Sequence, residues 1–148
     1  MNATEARTLL LAQHAQLRQQ IELCTGLAKL HREGHDVARR LDEALAELRE
    51  QLAEHNQTET EIVGQLLHGP SAWGSLLVDR MLEEHVAEHA AFWDLLSGTH
   101  TEVAGRIDDL AEEIDAHMLA EERTFLSPVT LRDDTIRTRT REDLEDLV

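Results

Sequence analysis

Tyrosine is missing from this chain, cysteine occurs once, and basic residues are scarce. Each shortage closes a class of function. Without tyrosine, no tyrosyl radical takes part in any chemistry. Cys24 has no partner for an internal disulfide, which fits a reducing cytoplasm. Fourteen basic residues stand against 30 acidic ones, a formal net charge of −16. Such a charge repels phosphate backbones and anionic lipid, so neither nucleic acid nor a membrane surface is an expected partner. Long apolar runs are lacking as well. The longest early one, Leu9-Leu10-Leu11-Ala12, is too short for a signal peptide or a membrane span. Strand signals are nearly absent, with no alternating apolar segment worth naming.

Helical signals fill the space left by these absences. A chain of 148 residues suits one domain with a proper core. A first helix opens at Asn2-Ala3-Thr4-Glu5, capped by Asn2 or Thr4, and runs to about His31. Gly34 stops it and Asp36 caps a second helix, which reaches about His68. Gly69-Pro70-Ser71 breaks that one, and Ser71 caps a third helix running to Ser97. Gly98 ends the third. Thr99-His100-Thr101-Glu102 offers a capping box for a fourth, expected to stop near Ser127-Pro128.

Each helix carries an apolar stripe in steps of three and four. The stripes read Leu10, His14, Leu17, Ile21, Cys24, Ala28; then Leu41, Leu45, Leu48, Leu52, His55, Glu59, Ile62, Leu66. The third and fourth read Val78, Leu82, His85, His89, Phe92, Leu96 and Val103, Ile107, Leu110, Ile114, His117, Glu121. Short connections between long helices imply an all-α, up-down-up-down antiparallel four-helix bundle over residues 1–127. Residues 128–148 read as a short C-terminal extension with a short amphipathic helix, or as a partner tail.

Histidines and acids interrupt these stripes rather than flanking them. Four-residue steps keep side chains on one helical face. With a rise of about 1.5 Å per residue, antiparallel topology puts His14, His55, Glu59, His85, His89, His117 and Glu121 in one broad layer. A single core histidine is more often a hydrogen-bonded packing residue than a ligand. A whole layer of imidazoles and carboxylates cannot readily satisfy itself, and unpaired buried charge is strongly destabilising. Cations remove the difficulty, because they bind neutral imidazole and ionised carboxylate directly.

Seven donors are too many for one zinc. Mixed imidazole and carboxylate ligation suits iron, with zinc, manganese and nickel as competitors. Two six-coordinate ions would take five imidazoles, two bridging carboxylates and a solvent-derived oxygen bridge, and keep one position open. A buried redox-active pair with an open position is a site for dioxygen, peroxide or nitric oxide. The Glu-x-x-His pairs of ferritin-like bundles do not occur, since no acid stands three residues before any of the nine histidines. No His-Glu-x-x-His occurs either, which removes the zincin reading.

The set His14, His55-Asn56-Gln57-Thr58-Glu59, His85-Val86-Ala87-Glu88-His89 and His117-Met118-Leu119-Ala120-Glu121-Glu122 resembles the hemerythrins and the wider hemerythrin-like cation-binding domain family. The resemblance spans about residues 5–127. It implies a non-haem di-iron centre, two iron ions with an oxo or hydroxo bridge, inside a four-helix bundle. One iron would take His85, His89 and His117. The other would take His14 and His55 and keep the open position, with Glu59 bridging. Hemerythrins place an aspartate five residues after the last histidine, where this chain has Glu122; several bacterial relatives use a glutamate four residues after it, here Glu121. Four residues overshoot a full turn by about 40° and five by about 140°, which favours Glu121 over Glu122.

Leu10, Leu17, Ile114 and Met118 lie within a turn of His14 or His117 and would line the ligand pocket, a role compatible with ordinary core packing. Phe92 and Trp93 would close the other side. His31, His35, His68 and His100 fall at helix ends and read as surface residues, with His31 and His35 able to hold a stray metal. Cys24 reads as core filling. The expected function is a cytoplasmic protein that binds dioxygen as carrier, store or sensor. The alternatives are an enzyme acting on hydrogen peroxide or nitric oxide, an iron store or iron sensor, and a metal-free helical interaction module.

Overall fold

The computed structural model describes residues 2–66, 72–124 and 126–127. The expected break at Gly69-Pro70-Ser71, His68 and the extension 128–148 lie outside these residues. Five helices follow one another: α1 (Ala3–Arg32), α2 (Ala38–Leu66), α3 (Ala72–Leu96), α4 (His100–Ala104) and α5 (Ile107–Arg123). No strand occurs among the described residues. Helix α1 packs along α2, α2 along α3, α3 against α5, and α5 and α4 close back on α1. The result is an up-down-up-down four-helix bundle whose fourth limb is made of α4 and α5.

Local chemistry sets the ends. Asn2 caps α1, its side chain accepting from Glu5 N–H while the Glu5 carboxylate accepts from Asn2 N–H at 3.0 Å. Past the other end, Gly34 sits at φ 89°, and the amides of Gly34 and His35 donate back to the carbonyls of His31 and Leu30. Such a reversal needs a left-handed residue, which glycine adopts without a Cβ penalty. Gly98, at φ 105°, does the same after α3. Arginines cover carbonyls left over at the end of α3: Arg49 donates to Leu96 O at 2.6 Å and Arg106 to Ser97 O at 3.3 Å.

Two sequence expectations are corrected here. The second helix starts at Ala38, with the Val37 carbonyl accepting from Leu41 N–H, so Asp36 stands too early to cap it. The fourth limb is not continuous. At Gly105 and Arg106 the chain tightens, Arg106 N–H reaching Val103 O three residues back, before α5 starts afresh. Gly105 weakens the helix at that point, and the Arg106 side chain is drawn to the carbonyls ending α3. Thr99 still accepts from Glu102 N–H, as expected of a cap, while the Glu102 carboxylate turns to Arg106 at 3.7 Å.

The core divides in two. The larger cluster holds Leu17, Leu41, Leu48, Leu52, Phe92, Leu110 and Ile114 among others; the smaller gathers Ala3, Ala6, Leu10, Ile62, Val63 and Leu126. On each limb the interrupting histidines and acids fall between these clusters: His14 between Leu10 and Leu17, and His55 and Glu59 between Leu52 and Ile62. His85 and His89 lie between Leu82 and Phe92, and Glu121 between Met118 and Leu126. Among the described residues, no helix is long and apolar enough to cross a membrane.

Leu48 is fully buried at the α2 contribution to the larger cluster. Replacing it with alanine is expected to lower the unfolding free energy of the metal-free chain by about 3 kcal/mol, whereas Asn2→Ala should remove only about 1 kcal/mol. Urea denaturation of both variants measures this, and equal losses would contradict the division between core and cap.

Candidate metal centre

Helices α2, α3 and α5 each deliver two donors by the same device, a four-residue step on the face turned to the axis, while α1 supplies His14 alone. His14 is 0% exposed, and His55, Glu59 and Glu121 are each 2% exposed. Their side-chain tips converge. One group comprises His14, His55, Glu59 and Glu121, and a second comprises Glu59, His85, His117 and Glu121; within each, one donor atom per residue lies within 4.8 Å of all the others. Glu59 and Glu121 belong to both. His89 lies just outside the second group, its ring 5.3 Å from that of His117 and 5.6 Å from that of His85. Glu122 belongs to neither.

The inward-facing donor atoms lie close to one another. His55 Nε2 is 2.8 Å from Glu59 Oε2, and His14 Nε2 is 3.7 Å from Glu121 Oε2. His85 Nε2 touches Glu59 Oε1, and His117 Nε2 touches Glu121 Oε1. Yet Nε2 of His14, His55, His89 and His117 and both oxygens of Glu59 and Glu121 are buried with no hydrogen-bond partner. Buried polar atoms nearly always find one. Lone pairs aimed at a shared space rather than at one another are what a cation requires, so this donor set fits one or more cations.

The opposite ring nitrogens are tied down. His55 Nδ1 donates to Gln13 Oε1 at 2.9 Å, and His85 Nδ1 donates to Met81 O at 2.8 Å. His14 Nδ1 lies 3.3 Å from Glu122 Oε1, and His117 Nδ1 contacts the Glu88 carboxylate. A proton held on Nδ1 leaves the Nε2 lone pair for coordination and fixes the ring. Glu122 is itself held by Arg18, whose Nη1 and Nη2 donate to its two oxygens at 2.7 and 2.9 Å. Its carboxyl therefore titrates below the usual range, the Arg18 hydrogen bonds being the main cause.

Without a cation the layer is electrostatically tense. Burial works to raise the Glu121 pKa, but contacts with His117, His14 and His85 reverse this and hold it below the ordinary carboxylate range. Burial likewise disfavours a proton on His85, and Glu121 and Glu59 override it, pushing His85 up to about 11. His117 is raised in the same manner against its own burial, chiefly by Glu121. His89 goes the other way, down to about 4, through burial and repulsion from His117 and His85. The acids thus stay ionised and favour a proton on two imidazoles, while a third is left neutral.

A family model described as the hemerythrin HHE cation-binding domain matches residues 6–129. The chain belongs to this family. No curated protein and no solved structure matches it.

Several features of this HHE domain were not readable from spacing. Gln13, Arg18 and Glu88 all position histidines, yet as outward-facing polar residues they carry no signal that separates them from a solvated helix face. The histidine-flanked Glu88 could have been suspected from its place between His85 and His89. A cleft of about 580 Å³ opens between α3 and α5, lined by Met81, His85, Phe92, His117 and Glu121 among others. None of the expected pocket residues Leu10, Leu17, Ile114 and Met118 is among the described residues lining it; all four are buried in the packed clusters. Phe92 borders the cleft, while Trp93 is 37% exposed and does not. Cys24 is buried, which pushes its thiol up to about 11 and leaves it inert.

His31 and His100 are corrected from plain surface residues. They are half-buried, their rings 5.0 Å apart, with His100 Nδ1 3.0 Å from Asp42 and His31 Nε2 3.1 Å from Thr101 Oγ1. His35 stays exposed, 3.9 Å from Glu33.

Two outcomes are expected. Glu121→Ala should abolish stoichiometric cation retention after dialysis, whereas Glu122→Ala should keep the stoichiometry with affinity lower by about tenfold; elemental analysis and a competition titration read both. His85, at about 11, carries a proton at pH 7 when no cation is present. Cation binding must displace it, so loading should release about one or two protons per chain and weaken as pH falls. Titration with cobalt(II) in weak buffer containing an indicator dye measures this, and no acidification would contradict it.

Proposed function

We propose that this chain holds two iron ions and uses them to bind dioxygen as a carrier, store or sensor. The observation that carries the reading is that Glu59 and Glu121 each belong to both donor groups, as bridging carboxylates must. His14 and His55 would serve one ion, and His85, His89 and His117 the other. With that assignment the ion held by His14 and His55 would keep the open position. A bound iron pair supplies a redox couple and a coordination position open to a small ligand.

The chain's own residues shape that chemistry. Leu10, Leu17, Ile114 and Met118, each no more than 1% exposed, keep bulk water from the region around His14. A dry surround slows proton delivery, which favours release of the ligand unchanged. Arg18 and Glu122 hold the His14 ring, and Gln13 holds His55. In this reading the domain spans residues 1–127, residues 128–148 form a separate extension, and the protein works in the cytoplasm.

The α3–α5 cleft favours a second reading. It brings solvent and the half-exposed Glu88 carboxylate close to His117 and Glu121, and a wet route to the site suits proton-consuming turnover of hydrogen peroxide or nitric oxide.

Anaerobic reconstitution with ferrous iron, followed by air, separates these. Dioxygen binding predicts two irons per chain and a visible charge-transfer band that disappears on deoxygenation and returns with air. Irreversible oxidation with turnover of added peroxide would select the enzyme. A colourless protein that retains only zinc, or nothing, would end both.

A further inference from the structure

The α3–α5 cleft has a composition that its neighbours in the bundle do not share. Its described lining includes Glu84 and Glu88 from α3 and Glu113 from α5 toward the outside, and His117 and Glu121 toward the inside, with no lysine or arginine. Alanines 91, 116 and 120 line the seam, and their small side chains account for the gap between the two helices. At its inner end Glu121 is 2% exposed and both its oxygens lack hydrogen-bond partners, so an unsatisfied buried carboxylate closes the cleft. On the other side of the layer, His14 is fully buried beneath Arg18, whose guanidinium is clamped between Glu122 and Asp115, so a closed ion-pair network covers that approach.

We infer that the α3–α5 cleft is the port through which a divalent cation reaches the buried donors, with Glu84, Glu88 and Glu113 gathering the hydrated ion and Glu121 and His117 receiving it. This rests on the proposed metal centre and adds its loading route. The physical grounds are simple. A hydrated divalent ion cannot cross a packed apolar cluster, and the layer has one above and one below. A low-dielectric cleft lined by charge of one sign concentrates counter-ions and raises association rates. Water must be shed stepwise as ligands replace it, and a graded series of carboxylates ending in a buried one with imidazole provides that exchange. Glu84 also pairs with Arg80 at 3.3 Å, but both are well exposed, so screening leaves its attraction for a mobile cation largely available.

The test is the rate of loading, read separately from the amount loaded. Metal-free full-length protein is mixed with cobalt(II) in a stopped-flow instrument, and the visible absorbance of the bound ion is followed at low and high salt. The double variant Glu84→Gln/Glu113→Gln removes two exposed charges and none of the inner donors. It should load about five- to tenfold more slowly at low salt, approach the parent rate at high salt, and reach the same final stoichiometry. Glu22→Gln/Glu47→Gln, which removes two exposed charges from the α1–α2 face, should load at the parent rate. Ala91→Leu, which narrows the seam without altering charge, should slow loading at every salt concentration while circular dichroism shows the fold retained. If both cleft variants load as fast as the parent to full stoichiometry, the port is elsewhere and the metal centre stands. If the parent itself takes up no cobalt, the metal centre and its port fall together.

Discussion

Two carboxylates sit in the middle of this bundle, buried and faced by imidazoles. Glu59 and Glu121 come from different limbs, α2 and α5, and each reaches the same space from its own side. Burying an ionised carboxylate without hydrogen bonds or a counter-charge is among the most destabilising things a fold can contain. The chain answers by surrounding the pair with imidazoles, and the cation-free protein responds by drawing protons onto His85 and His117. That arrangement keeps the fold together but leaves the donor lone pairs pointing at common ground. A cation resolves the same conflict with better geometry, because it replaces shared protons with direct bonds.

The surroundings follow from that conflict. Two apolar clusters sandwich the polar layer, so bundle stability comes from regions that a change at the layer does not touch directly. Outside the layer, Gln13, Glu122 with Arg18, the Met81 carbonyl and Glu88 each anchor one imidazole by its remote nitrogen. These partners are of different kinds: an amide, a guanidinium-clamped carboxylate, a backbone carbonyl and a half-exposed carboxylate. Rings held by such partners pay little ordering entropy when a cation arrives. The two sides of the layer also differ in access. The His14 side is closed by packed leucines and the Arg18 clamp, and the His117 side opens to solvent through the α3–α5 cleft.

Most of the fold was legible because helical periodicity is a local property. The stripes on α1, α2 and α5 are buried residue for residue where the structure describes them, and Gly34 and Gly98 end helices as their sequence positions suggest. What failed failed at ends and breaks. Asp36 looked like a cap, but the turn after Gly34 places Ala38 at the helix start. The fourth helix was expected to run unbroken, but it is interrupted at Gly105 and Arg106, where the Arg106 side chain finds carbonyls at the end of α3, a contact invisible in local sequence. Periodicity also bears on the last carboxylate: Glu121 faces the layer, and Glu122, one position on, faces Arg18.

By itself the sequence determined which residues share a helical face, because the angle between neighbours along a helix is fixed by backbone hydrogen bonding. From that came the four limbs, the polar interruption of each apolar stripe, and the expectation that seven donors share one broad layer. Tertiary structure alone decided which donors are shared between groups, which nitrogen of each imidazole looks inward, and which seam between helices stays open. Those outcomes depend on distances between residues as far apart in the chain as His14 and Glu122, or Glu88 and His117. No local rule fixes such distances; they are set by how four helices settle against one another around small side chains and buried charge.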